Sequence, residues 1–374
     1  MNDFWCLTMI KVLHVRSTIG LYGAERVLLN LQQDYAMTKS CQSEVFLISP
    51  QDDCELSRGL SAYELPHYVF PSRKKFDISL VKAIRQQINQ RGINILHTHD
   101  YKSLIHARMA ALGTGVKLVH HIHGSLGNTV SEKLYSIVEL VFMFTANLIL
   151  TVSEEQRQSY QKRLLGLRSV TLLPNGTPID SFAKTTSEDG VLNLIMVARF
   201  TPEKDHDRAI NIVRLAVDKG VQLKLLLLGD GPLFEPIKAK VMSLDLNQSV
   251  EFIGYTNDVK RWLMKADLLL MTSKTEGMPM SVLEAMSYGL PVVSTPVGAL
   301  PNLVSGSGCG EICNTDDDFI ASIQRYTLKT TLGTEAKQAW NYIDQNYSIR
   351  VQRKKLDSLY QTLSGDRYVD VDCV

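Results

Sequence analysis

Short apolar runs alternate with amphipathic stretches along nearly the whole chain. Ile10–Val15 is a compact apolar run, a glycine turn at Gly20 and Gly23 follows it, and Ala24–Tyr35 has helical spacing. Glu44–Ile48 predicts a second strand, and Asp77–Arg91 a helix with Ile78, Val81, Ile84 and Ile88 on one stripe. Ile93–His97 and Val116–His121 predict strands with a helix between them. The turn Leu173-Pro174-Asn175-Gly176-Thr177-Pro178 is the strongest punctuation. After the polar stretch 184–190 the cycle restarts, with strand-like runs at Leu192–Val197, Leu223–Leu228, Val250–Ile253, Leu268–Met271 and Pro291–Ser294. A closing helix at Ser348–Leu363 sets Val351, Lys355, Leu359 and Leu363 at four-residue steps. Strands that alternate with helices indicate parallel, doubly wound sheets. Two such cycles predict two Rossmann-like α/β domains, residues 1–177 with 347–374 and residues 178–346.

Length agrees, since 374 residues make about two domains at roughly 100–200 residues each. Hydrophobic residues make up 45% and charged ones 21%, which excludes wholesale disorder, and a net charge of +1 provides no global field for nucleic acid. Six scattered cysteines (Cys6, Cys41, Cys54, Cys309, Cys313, Cys373) with no CxxC pair read as reduced thiols of a cytoplasmic protein. Residues 1–8 lack the pattern of a secretion signal and read as a tail before the first strand. Leu134–Val152 is apolar enough to be weighed as a membrane span, but Glu139 and Asn147 near its middle would be costly in hydrocarbon. It divides instead into a helix ending near Thr145 and a strand, Leu148–Val152, followed by a capping box of Ser153 and Gln156.

Four constellations carry chemistry. At the first turn, Tyr22-Gly23 opens a helix where backbone could approach a phosphate, although a plain tight turn explains the glycines equally. In the second, Arg199 ends a strand and Lys204 follows five residues on, two cations at the carboxyl edge of a parallel sheet where phosphates bind. Asp205-His206-Asp207 is spelled like a metal motif, but Asp205 is expected to cap the next helix. In the third, Glu276-Gly277-Met278-Pro279 leads into a helix that carries Glu284 in its second turn and is closed by Gly289. A carboxylate at each place could grip hydroxyls at two ends of one ligand, with a phosphate at the helix N-terminus between them. The fourth is histidine: six of nine fall within 97–123, as His97, His99, His106, His120, His121 and His123. A metal site, an acceptor-binding patch and hydrogen-bonded strand ends all remain open for them, with His123 beside Gly124 best placed to hold or deprotonate a hydroxyl.

In this order the four pieces resemble the retaining glycosyltransferases of family 4, which have the GT-B fold, over about residues 9 to 363. The resemblance implies two Rossmann-like domains facing a cleft, with the closing helix crossing back to the first domain. It assigns donor-sugar hydroxyls to Glu276, the ribose to Glu284 and the diphosphate to Arg199 and Lys204, with Gly23, Gly277, Met278 and Pro279 also on the donor. It puts His123 next to the acceptor and reactive carbon, with Tyr22 and His99 lining the acceptor side. Catalysis would rest on His123, Glu276, Arg199 and Lys204. Three positions depart from the family: Tyr22-Gly23 stands where Gly-Gly is usual, Asp205 replaces a glycine, and Asn302 stands where a glutamate is common after Gly298-Ala299.

The implied activity is transfer of a hexose or N-acetylhexosamine from a nucleotide diphosphate sugar, UDP before GDP, to a glycan or lipid-linked acceptor in surface polysaccharide biosynthesis. It implies no cofactor and no metal, and no nucleic-acid partner. Arg73-Lys74-Lys75 is open to two readings, a solvated loop or a contact with anionic lipid at the inner face of the membrane. The rival functions are a nucleotide-sugar epimerase of the same architecture, a non-catalytic nucleotide-binding protein and a histidine-metal hydrolase.

Overall fold

The computed structural model describes residues 9–18, 20–123, 130–182, 190–328 and 330–365. Cys6, Cys373, Gly124 and most of the polar stretch 184–190 lie outside the described residues. The chain divides into two compact units. Unit 1 is made by the described residues up to Gly176 together with those from Ile349 on, and unit 2 by Thr177–Ser348.

Unit 1 holds seven strands: β1 (Lys11–Ser17), β2 (Gln42–Ser49), β3 (His67–Pro71), β4 (Ile95–Thr98), β5 (Lys117–Ile122), β6 (Leu148–Thr151) and β7 (Val170–Leu172). They form one parallel sheet in the order β3-β2-β1-β4-β5-β6-β7. Unit 2 holds β8 (Leu192–Val197), β9 (Leu223–Leu228), β10 (Val250–Gly254), β11 (Leu268–Met271), β12 (Val292–Ser294) and β13 (Glu311–Ile312). These are also parallel, in the order β10-β9-β8-β11-β12-β13. Central strands such as β11 are apolar throughout because helices cover both faces of a parallel sheet. In each sheet the strand order reverses once, between β1 and β4 and between β8 and β11. Ligands of open α/β sheets bind outside the carboxyl ends of strands at such a point.

The helix Ile78–Arg91 buries Leu80, Ile84 and Ile88, while Ile78 is 64% exposed, so the expected stripe begins two residues too early. Asp77 explains this: its carboxylate accepts the N–H of Ser79 and fixes the helix start, leaving Ile78 on the outer side of the first turn. The closing helix Ile349–Ser364 likewise buries Gln352, Arg353, Leu356 and Tyr360, and Lys355 faces water. Its burial follows polar partners that hydropathy does not weigh. Arg353 pairs with Asp34 at 2.6 Å and Asp357 at 2.9 Å, and Gln352 accepts the Gly176 N–H at 3.1 Å. Leu356 and Tyr360 join Val12, Tyr35, Ile95 and Val119 in one cluster on a face of the unit 1 sheet.

The apolar segment under suspicion splits into a helix, Val130–Met143, and β6. Among the described residues no helix is long and apolar enough to cross a membrane. Glu139 lies 3.3 Å from His120, and Asn147 accepts the Leu118 N–H at 2.8 Å, so both polar side chains serve the core. Ser153 caps the following helix by accepting the Gln156 N–H, but Gln156 Oε1 has no partner among the described residues, so only half of the expected box forms. Cys41, Cys54, Cys309 and Cys313 are buried free thiols.

Candidate functional site

In unit 2 the chain leaves β8 into Arg199, whose backbone is gripped from the neighbouring turn. The Ala198 N–H donates to Leu228 and the Phe200 N–H to Asp230, at 3.0 Å each. Between them Gly229, at φ +133°, comes so close that a Cβ would lie 2.1 Å from the Ala198 oxygen. Only glycine permits that approach. The chain then makes one tight turn, Pro202–Lys204.

Two cross-links tie this loop to the one after β11. The Thr272 hydroxyl donates to the Asp205 carbonyl at 2.9 Å, and the Lys274 N–H to the Glu203 carbonyl at 2.8 Å. They bring together groups 72 positions apart: Lys204 Nζ sits 2.6 Å from Glu276 Oε1, in a pair whose side chains are 21% and 7% exposed. Asp205 takes the N-cap position of the helix His206–Asp218, but its side chain caps nothing. Its left-handed backbone (φ 51°) turns the carboxylate away to Lys274, 3.1 Å off, which corrects the expected capping role.

Pro279 occupies the N-cap position of the helix Met280–Ser287, with Met278 buried before it and Glu284 half-buried in the second turn. Gly298 braces this loop from behind. At φ +58° its Cβ would stand 2.5 Å from the carbonyl oxygens of both Glu276 and Gly277, and the Ala299 N–H donates to Gly277 at 2.9 Å. Gly298→Ala is therefore expected to cost about 1–3 kcal/mol of unit 2 stability through overpacking and strain, and to displace Glu276. A denaturant titration with the midpoint unchanged would show that the loop yields freely.

In unit 1 the first turn is already occupied. Tyr22 caps the helix Gly23–Thr38 with its ring over Gly20. Glu25 accepts the Tyr22 N–H at 3.2 Å and pairs with Arg16 at 2.8 Å, so a carboxylate of the chain stands at the place a phosphate was expected to take.

The histidines separate by strand alternation. His120 points to one face, between Thr98 (2.9 Å) and Glu139. His106 accepts the Asp77 N–H at 2.9 Å and bonds the Lys102 carbonyl at 2.7 Å, a structural post. The others gather on the opposite face at the switch point, joined by one that sequence reasoning missed. His14, on β1, stands opposite His97 in the register of β1 with β4. His14 Nδ1 lies 2.9 Å from His99 Nε2, and His99 Nδ1 lies 2.9 Å from His123 Nε2. His97 stacks 4.4 Å over His99 and meets the Tyr360 hydroxyl at 2.5 Å; His121 lies 4.2 Å from His123.

Burial pushes His14 and His121 down to about 3 and holds His97, His99 and His123 well below the usual histidine value, helped by neighbouring rings. The column is neutral at pH 7. Two trios, His14/His97/His99 and His99/His121/His123, bring ring nitrogens within 4.8 Å of one another. The in-line hydrogen bonds occupy both nitrogens of His99, so a metal ion at either trio would have to replace a bridging proton.

Residues 179–342 match the family described as Glycosyl transferases group 1, and residues 22–181 the one described as Glycosyltransferase Family 4. The chain belongs to glycosyltransferase family 4. A family 4 relative in Escherichia coli, UDP-Gal:alpha-D-GlcNAc-diphosphoundecaprenol alpha-1,3-galactosyltransferase, is 26% identical across 94% of this chain and 96% of its own. The O-antigen biosynthesis glycosyltransferase WbnH of Escherichia coli is 24% identical over 67% of this chain and 73% of its own. Anabaena Alr3699/HepE, crystallised with UDP, superposes with a TM-score of 0.79 at 20% identity, covering 95% of this chain and all of that one. The fold is GT-B, and the protein is a glycosyltransferase.

Proposed function

We propose that the protein transfers a hexose or N-acetylhexosamine from a UDP-sugar to a lipid-linked glycan acceptor, with retention at the anomeric carbon and without a metal. The observation that carries this reading is the Lys204–Glu276 pair at the unit 2 switch point, with Arg199 leaving β8 and the helix Met280–Ser287 beginning just after Glu276. Cleavage of the bond from C1 to the diphosphate oxygen leaves negative charge on the phosphate and positive charge on the sugar ring. Arg199, Lys204 and the helix N-terminus at Met278-Pro279 stabilise the first, and Glu276 holds sugar hydroxyls next to the second. Glu284 takes the ribose, and His123, together with Tyr22 and with His99 2.9 Å away from it, serves the acceptor.

The nucleotide and acceptor rest on the relatives. One is named for UDP-Gal and a diphosphoundecaprenol-linked sugar, one for O-antigen synthesis, and HepE was crystallised with UDP. A lipid-linked acceptor also suits the exposed run Arg73-Lys74-Lys75, beside Phe76 (50% exposed) and Ile78 (64%). Three cations near an anionic leaflet contribute about 1 kcal/mol each.

The test supplies UDP-sugars with an undecaprenyl-diphosphate-linked sugar and reads the product's mass and anomeric configuration by NMR. Sugar conversion without acceptor would indicate an epimerase instead. Within this reading Glu276→Ala is expected to depress turnover, and Glu284→Ala to weaken UDP affinity in calorimetry. An equal loss of UDP binding in both variants would overturn the division of roles.

A further inference from the structure

The charges of unit 1 are sorted by face. On β2, Val45 and Leu47 enter one apolar cluster with Leu28, Leu56 and Leu60, and Phe46 and Ile48 another with Leu80, Leu104 and Met143. Alternation along the strand therefore puts the helices Gly23–Thr38 and Glu55–Ala62 on one side of the sheet. Ile78–Arg91, Tyr101–Ala111 and Val130–Met143 cover the other. Residues 18–66, which include the first pair, hold seven Asp or Glu and three Lys or Arg. Residues 72–116, which include two of the second set, hold eight Lys or Arg against Asp77 and Asp100. Both of these acids are engaged at helix starts: Asp77 accepts from Ser72 and Ser79, and Asp100 from the N–H groups of Ser17 and Ser103. In the third helix the one acid among the described side chains, Glu139, is buried against His120. A chain of net charge +1 thus presents one strongly cationic helical face.

The same face is apolar where it meets water. Ile137 and Val141 are each 59% exposed one turn apart, and Phe144 continues their stripe. Met109 and Leu112 stand out at the end of the neighbouring helix, and Phe76 and Ile78 at the start of the one beyond. Contacts between the helices join these into one surface. Lys75 Nζ lies 5.2 Å from the centre of the Tyr135 ring, Tyr135 stacks on Tyr101 at 4.8 Å, and Arg85 lies beside Gly113. At the far edge Arg163 donates to the Ser136 hydroxyl and Arg168 to the Ala146 carbonyl, which adds two cations. An apolar stripe that points away from the core, among cations, is not required by the packing of unit 1 itself.

We propose that this whole helical face, and not the Arg73-Lys74-Lys75 loop alone, lies on an anionic lipid bilayer, with Ile137, Val141 and Phe144 in the acyl boundary and the cations among the headgroups. Apolar side chains that stand singly between cations suit a fluid interface that closes around each of them, as it does around amphipathic helices lying in the membrane plane. A second copy docked by two-fold symmetry would instead set the same cations against each other. The inference rests on the lipid-linked acceptor for its purpose, since a protein held on the bilayer meets a substrate confined there. The binding itself is measurable without donor or acceptor.

Co-sedimentation of the full chain with phosphatidylcholine vesicles, with and without phosphatidylglycerol and at low and high salt, tests it. The expected result is binding that needs phosphatidylglycerol and weakens with salt. Lys82→Gln and Arg85→Gln, both exposed on the first helix of this face, should each weaken binding about fivefold, the effect of one cation near an anionic leaflet. Ile137→Gln with Val141→Gln keeps the charge and should weaken it about tenfold or more per side chain. Met37→Gln with Tyr63→Gln, exposed on the acidic side of the sheet, should leave it unchanged. All these positions are exposed, so the thermal midpoints should stay where they are. An equal loss in the Met37/Tyr63 pair would overturn the proposal, as would full binding by the Ile137/Val141 pair. Absence of binding to phosphatidylglycerol would overturn it and leave the cations to an acidic protein. A dimer that the Ile137/Val141 pair dissociates, without lipid binding, would overturn it in favour of a second copy. Transfer to a short-chain, water-soluble acceptor separates the two readings. Transfer without lipid binding sinks the membrane face alone, and lipid binding without transfer to any acceptor sinks the proposed function alone.

Discussion

Unit 1 is expected to lose stability steeply as the pH falls below about 6.5, the value near which an ordinary histidine takes up a proton. Burial holds His14 and His121 at about 3, and His97, His99 and His123 also well below the ordinary value. Between those limits the unfolded chain binds protons that the folded one refuses. The stabilisation is therefore complete above about pH 6.5 and is lost progressively as the pH drops toward 3. Each such histidine forfeits about 1.4 kcal/mol per pH unit in that window, so five of them at one unit below amount to about 7 kcal/mol, comparable with the whole stability of a domain. Hydrogen exchange of β1, β4 and β5 amides at about pH 7.5 and pH 5.5, with urea titrations alongside, measures it. Urea midpoints that do not move between those two pH values would mean that the rings are hydrated and already protonatable in the folded chain.

The second large effect is expected at Lys204. Its ammonium is held 2.6 Å from Glu276 by loops that are themselves cross-linked, so on the proposed reading it would meet a developing phosphate charge without reorganisation. Removing one preorganised charge of this kind costs about 3–4 kcal/mol at the transition state, or 10²–10³-fold in rate. Lys204→Ala should show that loss at saturating donor, and EDTA should leave the unaltered enzyme's rate as it was. Turnover near normal in Lys204→Ala would remove the side chain from the leaving group. Since the substitution also leaves Glu276 without its cation, the thermal midpoint of the variant should be read beside its rate.

The parts of this molecule legible in its sequence are those governed by local rules. The strands β8, β9 and β11 coincide with apolar runs, because both faces of a parallel strand are buried and the run needs no partner to be recognised. Arg199, Lys204 and Glu276 were legible as loop residues that follow such strands. What escaped depends on partners distant in sequence. β13 has two residues and β7 three, too few to carry a period. Asp205 looked like a cap, yet its backbone conformation sends the carboxylate to Lys274. His14 stands alone in an apolar strand. The signal that could have found it was the pairing of β1 with β4, which puts it level with His97. The buried face of the closing helix was misread by one residue for a similar reason: Gln352 and Arg353 are buried by hydrogen bonds and ion pairs, not by hydropathy.

That closing helix also sets a timetable. Tyr360 reaches His97 across 263 positions, and Leu356 and Tyr360 complete an apolar cluster whose other members, Val12 to Leu173, precede Thr177. All of unit 2, Thr177–Ser348, is interposed. At about 5–20 residues per second a ribosome needs roughly 10–30 s to make that interval. For its duration the nascent first unit exposes the surface that Leu356 and Tyr360 later cover, and His97 waits without its phenol. Unit 2 has every strand of its own sheet in hand before the first-made unit can close. The N-terminal unit is begun first and finished last, and for those roughly 10–30 s its apolar face waits for its cover.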